Sequence, residues 1–344
     1  MSERLDLRGM TFSELKEFTA KLGAEAFRGA QVFDWIYKGK KSFRDMNNIP
    51  EALRYKLEEK TYIGQLNIMT VQKSKYDGTR KYLLELPDGN SIECVFMKYK
   101  YGNSICISSQ AGCRMGCKFC ASTRSGLARN LTAGEMVSEI MAVIEDTGEE
   151  ARHIVVMGSG EPFDNYDNLA KFLRIINESR GLGIGMRNVT VSTCGIVPKI
   201  LQFADDFNQV NLAISLHASG NDERSEIMPI NNKYPIEDVI SACKTYIEKT
   251  NRRITFEYTL VAGVNDSERS AKKLAALLKG MLCHVNLIPL NTVRESKLKT
   301  VSRKKAFEFQ KILMDKGIPA TVRRELGDDI DAACGQLRLN NKIN

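Results

Sequence analysis

The stretch QAGCRMGCKFCAS, residues 110–122, brings three of the chain's nine cysteines together at positions 113, 117 and 120. It follows an apolar run at 104–108 that is typical of a strand, and it precedes a helix that Thr132 and Glu135 begin as a capping box. A loop between a strand and the next helix lies at the carboxyl end of a parallel sheet, where barrel enzymes place their reactive groups. The three thiols are therefore predicted to bind a group at this edge.

Apolar strand-like segments alternate with longer amphipathic segments throughout the second part of the chain, a pattern typical of βα units. The strands are predicted at 104–108, 153–158, 188–192, 210–217, 254–261 and 284–290, with an edge strand at 320–325. The helices are predicted at 132–145, 166–178, 197–205, 236–249, 267–279 and 302–316. Six such units are fewer than the eight of a closed barrel. The predicted fold class is α/β, a partial (βα)6 barrel.

A small helical accessory domain is predicted at 1–70, ahead of the barrel. A capping box at Thr11 and Glu14 begins one helix, and 31–37 and 50–60 have helical patterns.

A β-hairpin extension is predicted at 71–98. The tetrapeptide PDGN at 87–90 separates two strand-like segments, and such a sequence favours a tight turn. The remaining residues, 99–344, are assigned to the barrel and a C-terminal segment.

Composition restricts the class of protein. A hydrophobic content of 43% supports a sizeable core in this chain of 344 residues. No apolar run is long enough to cross a membrane, and the first residues are charged, so a cytoplasmic location without membrane association is expected. An odd number of cysteines there favours metal or redox chemistry over a disulfide framework.

Basic residues are concentrated in two segments, 37–44 and 294–305, within a chain of net charge +8. Such segments suit a polyanion such as RNA, although lysine-rich surface segments are often only solvated. Charge alone leaves both interpretations open.

Three thiols fit an iron–sulfur cluster better than a structural zinc ion. Zinc ordinarily takes four ligands, and the chain offers no second CxxC motif and no histidine nearer than His153. Three thiolates on a four-iron cluster leave one iron open to a substrate or cofactor. A non-catalytic zinc and RNA-binding module remains the alternative.

The CxxxCxxC spacing, with Phe119 before the last cysteine, resembles the radical S-adenosylmethionine (SAM) superfamily. Further motifs over nearly the whole chain are similar to the RlmN/Cfr family of RNA adenosine methyltransferases. They are MGSGEP (157–162), VSTCGIVP (191–198), ISLHAS (214–219), MPIN (228–231), HVNLIPLN (284–291) and GDDIDAACGQLR (327–338).

The resemblance implies two cofactors, a [4Fe-4S] cluster and SAM. The implied cluster ligands are Cys113, Cys117 and Cys120. SAM would bind the open iron, and its reductive cleavage would yield a 5′-deoxyadenosyl radical. The residues implied to bind SAM are Gly160, Glu161, Ser192, Ser215, His217 and Asn291, most of which end predicted strands. Each of them alone would also be consistent with an ordinary turn residue.

The same resemblance implies three catalytic residues. Cys334 would carry a methyl group taken from a first SAM, and a radical from a second SAM would convert it to the methylene that adds to adenine. Cys106 would then attack the Cys334 sulfur and leave a disulfide for a reductant to open. Glu93 would take the proton from the substituted carbon. Taken singly, Cys106 and Cys334 also fit packed apolar residues, and Glu93 a solvent-facing hairpin residue.

The implied substrate is an adenosine of 23S ribosomal RNA, methylated at carbon 2, and in some members also a tRNA adenosine. RNA binding would then be a function of the helical accessory domain at 1–70. Carbon-8 methylation, as in the Cfr branch, is the alternative within the family, and a different radical SAM enzyme is the alternative outside it. A flavodoxin or ferredoxin is the expected electron donor, and a monomer is the expected state.

Overall fold

The computed structural model describes residues 4–291, 298–324, 326–330 and 332. The first elements form a small, mainly helical domain with its own apolar core. They are β1 (Leu5–Asp6), α1 (Phe12–Lys21), α2 (Ala26–Tyr37), α3 (Glu51–Lys60) and β2 (Thr61–Tyr62), with β1 parallel to β2. The capping box predicted at Thr11 and Glu14 is present at the start of α1. The helical interpretation of this part of the chain is therefore confirmed.

The next elements are the strands that begin the large sheet and the loop of the cysteines. They are β3 (Asn67–Lys73), β4 (Arg80–Glu85), β5 (Ser91–Tyr99), β6 (Gly102–Ile107), β7 (Gln110–Gly112) and β8 (Leu127–Asn130). β7 and β8 form a separate two-stranded sheet.

Helices and strands then alternate to the end of the described chain. They are α4 (Ala133–Thr147), β9 (His153–Val156), α5 (Tyr166–Asn177), β10 (Val189–Thr193), α6 (Val197–Asp206), β11 (Asn211–Ser215), α7 (Asn221–Ile227), α8 (Ile236–Thr250), β12 (Ile254–Leu260), α9 (Glu268–Leu277), β13 (Cys283–Pro289), α10 (Arg303–Asp315) and β14 (Ala320–Val322). All six predicted barrel strands, the edge strand and the six predicted helices are confirmed. The short helix α7 and the pair β7 and β8 are additional.

One ten-stranded sheet carries the barrel, in the order β14-β13-β12-β11-β10-β9-β6-β5-β4-β3. The strands from β6 through β9 to β14 are parallel, while β3, β4, β5 and β6 are antiparallel neighbours. The predicted hairpin at 71–98 is present as β4 and β5. Because β5 also pairs with β6, this hairpin continues the barrel sheet, and the division expected at residue 70 falls within β3.

Buried polar contacts join the helical domain to the barrel at α4. The Asp6 carboxylate accepts hydrogen bonds from the Arg8 and Gly64 amides, and a Cβ at Gly134 of α4 would lie 2.1 Å from an Asp6 oxygen. The buried Arg8 guanidinium pairs with Glu145 at 3.7 Å. Glycine at 134 is therefore required for the close approach. Among the helices of the described ranges, none is long and apolar enough to span a bilayer.

Candidate active site

A cavity that opens to solvent lies at the carboxyl ends of the barrel strands. This is the edge at which barrel enzymes place their active sites. Nine residues that the resemblance implied as ligands line it together, namely Cys113, Cys117, Cys120, Gly160, Glu161, Ser192, Ser215, His217 and Asn291. The chain thus brings three thiols and six SAM-site candidates to one space.

The loop of the three cysteines is shaped by backbone contacts. Gly112 has φ +78°, and a Cβ there would lie 2.0 Å from the Gly126 carbonyl oxygen, which itself accepts the Cys113 amide at 2.9 Å. The Thr123 hydroxyl donates to the carbonyls of Cys117 and Cys120. The pair of β7 and β8 therefore closes a tight loop that holds the thiols toward the cavity.

The donor set fits a four-iron cluster. Within the described residues, no three His, Cys, Asp or Glu side chains converge closely enough to hold a single metal ion. A cluster does not require such convergence, because each cysteine binds a different iron. Burial raises the pKa of Cys113 to about 12 and that of Cys117 well above its usual value, so cluster assembly must release protons from these thiols.

Glu161 joins two strand ends of the cavity wall. Its carboxylate accepts the Thr193 hydroxyl at 2.6 Å, the Cys194 amide at 2.7 Å and the Phe163 amide at 3.0 Å. These contacts occupy most of the about four acceptor positions of a carboxylate. The principal role of the Glu161 side chain is thus to position the loops after β9 and β10.

His217 is a neutral donor to the cavity. It has φ +55°, and its Nδ1 accepts the Thr259 amide at 2.9 Å. The proton therefore resides on Nε2. Burial lowers the pKa of His217 to about 3, which keeps the ring uncharged at neutral pH. Its edge-to-face contact with Phe119, at 4.7 Å between centroids, fixes the ring beside the cysteine loop.

The two catalytic candidates in the described chain share one face of the sheet beside the cavity. Cys106 of β6 is paired with Val95 of β5, and Glu93 lies two residues before Val95, so both side chains project from the same face. Glu93 is 4% exposed and forms a salt bridge with Lys81 at 3.3 Å. The solvent-facing alternative for Glu93 is therefore wrong.

Cys106 packs in an apolar cluster that reaches the cavity and the C-terminal segment. The cluster includes Met157, which also lines the cavity, and Leu326 and Ala332. Cys334, the implied methyl carrier, lies outside the described residues, as does part of the basic segment 294–305. The last described residue, Ala332, is thus two residues before Cys334 in the sequence.

Sequence reasoning did not identify several polar residues of the site. Glu257 of β12 lines the cavity, is paired in register with Ser215, and accepts the Asn286 side-chain amide at 2.8 Å. Burial raises its pKa. In the sequence, the only indication of Glu257 was a carboxylate within the apolar segment ITFEYTLV. The half-buried Lys81 and the buried Arg224 had no comparable signal, because a basic residue in the sequence does not show which acceptors the fold brings to it.

Comparison with known families gives two matches. The family model of the radical SAM superfamily matches residues 107–275, and the model of the ribosomal RNA large subunit methyltransferase N-terminal domain matches residues 5–63. Together they cover the cysteine loop, most of the barrel and the helical domain.

Known relatives match the chain over nearly its full length. The "Probable dual-specificity RNA methyltransferase RlmN" of Clostridium perfringens (strain SM101) is 58% identical over 329 residues, 95% of each chain. The protein of the same name from Clostridioides difficile (strain 630) is 53% identical over 340 residues, 99% of each chain. The crystal structure of a radical SAM methyltransferase from Sphaerobacter thermophilus, 43% identical, has a TM-score of 0.93 and covers 97% of this chain and 99% of its own.

Proposed function

Since the chain belongs to the RlmN family of radical SAM enzymes, we propose that it methylates carbon 2 of an adenosine in 23S ribosomal RNA and of an adenosine in tRNA. The observation that carries this proposal is the single cavity shared by three cysteine thiols and six SAM-site candidates. The two substrate classes follow the dual specificity in the relatives' names. The cytoplasm, where both RNAs occur, is the proposed location.

The low nucleophilicity of carbon 2 of adenine explains why radical chemistry is required. This carbon lies between two ring nitrogens and is electron-poor, so it does not displace the electrophilic methyl group of SAM. When bound, the cluster and SAM supply a 5′-deoxyadenosyl radical. The residues proposed to hold them are the thiols of the CxxxCxxC loop and the strand-end residues of the cavity wall.

The tasks of the chain's own residues are then positioning, proton transfer and release. Cys334 is the proposed carrier of the methyl group that is transferred to the base. Glu93 is the proposed proton acceptor, and its salt bridge with Lys81 stabilises the charged carboxylate required of a base. His217 is the proposed donor of an Nε2 hydrogen bond to SAM.

Release of the product is assigned to Cys106. Its thiolate attacks the Cys334 sulfur, and a disulfide forms between the two cysteines. The bond from that sulfur to the transferred carbon breaks, its electron pair stays with that carbon, and the carbon takes up a proton to become the methyl group. An external dithiol must return both cysteines to thiols before another cycle. Packing of Cys106 with Leu326 and Ala332 supports this role, because Ala332 is two residues before Cys334 in the sequence. A flavodoxin or ferredoxin is the proposed electron donor to a monomeric enzyme.

The test is mass spectrometry of nucleosides from 23S ribosomal RNA and tRNA incubated with reconstituted enzyme, SAM and a reductant. We expect 2-methyladenosine from both RNAs and none from reactions without SAM. Recovery of 8-methyladenosine instead would reject the carbon-2 assignment. Absence of methylation from one RNA would reject dual specificity.

A further inference from the structure

Arg224 is a fully buried cation held only by neutral acceptors. It lies on α7, and its side chain is 0% exposed. Its guanidinium donates to four carbonyl oxygens and one side-chain amide oxygen. These acceptors are Leu216 O at 3.2 Å, Ser215 O at 3.3 Å, Cys194 O at 2.6 Å, Tyr234 O at 3.3 Å and Asn231 Oδ1 at 3.1 Å. Among the described residues, no carboxylate forms a salt bridge with it.

Within the described residues, the other fully buried arginine shows how unusual this is. Arg8 has a counter-charge, because Glu145 lies 3.7 Å from its guanidinium and the Asp6 carboxylate is also near. An uncompensated buried ion costs several kcal/mol, and carbonyl dipoles repay only part of that cost. Burial accordingly lowers the pKa of Arg224, although an arginine remains protonated at every physiological pH. A missing negative charge is therefore expected near Arg224.

The cysteine loop is the adjacent place where such a charge would form. Cys194, whose carbonyl receives the shortest hydrogen bond from Arg224, packs in the same apolar cluster as Cys117 and Phe119. The carbonyl of Ile227, one turn after Arg224 on α7, accepts the Lys118 amide of the loop at 2.9 Å. The helix that carries Arg224 is thus hydrogen-bonded directly to the cysteine loop, and Cys194, which accepts from the guanidinium, packs against the same loop.

We propose that Arg224 is the built-in counter-charge of the iron–sulfur cluster and raises its reduction potential. A four-iron cluster on three thiolates is anionic, and it gains another negative charge when it accepts an electron. A fixed cation nearby stabilises the reduced form more than the oxidised form, because attraction grows with the charge on the cluster. Low local polarity strengthens this effect, since the guanidinium is shielded from water.

The same side chain positions the cavity wall. Ser215 lines the cavity, and Leu216 precedes His217, so the hydrogen bonds to these two carbonyls hold the end of β11 in place. The bond to Cys194 holds the end of β10. The reduction potential of the cluster depends on the charge of Arg224 and not on this structural role, so measuring it distinguishes the two.

The experiment compares Arg224→Gln with Arg224→Lys in cluster-reconstituted protein without SAM or RNA. Both changes remove hydrogen bonds to carbonyls, but only glutamine removes the charge. The measurement is a potentiometric titration followed by electron paramagnetic resonance, after iron and sulfide contents have been matched. We expect Arg224→Gln to lower the equilibrium constant for reduction of the cluster at least tenfold, a shift of 59 mV for one electron. In Arg224→Lys this constant should remain within threefold of the wild-type value. Equal potentials in the two variants would overturn the proposal.

Asn231→Asp gives a second test that keeps Arg224. Asn231 Oδ1 already accepts from the guanidinium at 3.1 Å, so aspartate at this position would neutralise the cation in place. We expect a lower potential in this variant also, even if Arg224→Gln does not fold. An unchanged potential in folded, cluster-loaded Asn231→Asp would overturn the proposal. Neither measurement depends on the RNA substrate, so its outcome is separate from that of the proposed methylation.

Discussion

At the scale of single residues, burial without an opposite charge determines how several ionisable side chains of this protein behave. His217 is neutral because its ring is buried and its Nδ1 is occupied by an amide. Glu139 of α4 is fully buried, accepts only the Ser108 amide through one oxygen, and has no partner within the described chain for the other. Burial raises the pKa of Glu139 well above its usual value, which favours its protonated form.

Replacement of Glu139 by glutamine should stabilise the cluster-free protein increasingly as pH rises. The unfolded carboxyl ionises above its ordinary pKa of 4.5, while the folded one keeps its proton up to a higher pH. Across that window the wild-type free energy of unfolding falls by about 1.4 kcal/mol per pH unit, and the non-titrating amide avoids this loss. Urea unfolding at pH 5 and pH 7.5 measures the difference. Glu17→Gln, at an exposed position, is the control, and a pH-independent difference for Glu139→Gln would contradict the argument.

Replacement of each of the two cysteines of the proposed release step should give a different outcome. Cys106→Ala should still attach the RNA base to Cys334 but should not release it, so a slow-migrating RNA–protein species should accumulate on a denaturing gel. Cys334→Ala should give neither this species nor methylated RNA. Loss of the Cys106 side chain, which is 6% exposed, should cost roughly 1 kcal/mol of stability. Normal turnover by Cys106→Ala would disprove its assigned role.

At the scale of elements, the β7 and β8 pair acts as the support of the cysteine loop. Sequence reasoning found the barrel strands and helices because each has a clear apolar period and a capping or turn signal. It missed β7 and β8, which are three and four residues long and owe their pairing to backbone contacts rather than to a side-chain pattern. Their geometry depends on glycines that a sequence shows only as loop residues.

Gly112→Ala should displace this loop and reduce the bound iron. Its φ of +78° disfavours a side chain, and the new Cβ would lie 2.0 Å from the Gly126 carbonyl oxygen. Gly126→Ala is the matched control, since that residue also has a positive φ of +71° but has open space around the added carbon. The control should lose about 1–2 kcal/mol of stability but keep its iron. Equal iron per chain in the two variants after reconstitution would show that the contact at Gly112 does not shape the site.

The candidate site itself could be predicted only in part, and the missing part has a physical cause. Residues such as Ser192, Ser215 and His217 end strands of a parallel sheet, so their convergence follows from the fold class. Glu257 and Arg224 belong to the site through contacts across strands and loops. Such contacts join residues whose separation in sequence carries no period, and only the folded chain shows them.

At the scale of the whole molecule, one continuous sheet links the cofactor cavity to the release residues and to the strands that follow the helical domain. The cavity opens at the carboxyl ends of the parallel strands. Helix α10 begins on this side, after the segment that follows β13, and ends beside the start of β14 at the opposite side. Its length of 13 residues separates the two ends by about 20 Å. A residue near the cavity opening, where the RNA must approach, can therefore be compared with one far from it on the same helix.

Lys304→Ala, near the start of α10, should weaken RNA binding and its dependence on salt. Phosphate contacts release counter-ions, and loss of one contact reduces the slope of log affinity against log salt by about 0.7 for a single strand. Lys316→Ala, which removes an exposed lysine just after the other end of the same helix, should leave both affinity and slope unchanged. Filter binding of a ribosomal RNA fragment between 50 and 200 mM salt, a range of strong dependence for such complexes, measures both quantities. If the two variants lose affinity equally, the net positive charge of the whole chain, and not the cavity edge, attracts the RNA.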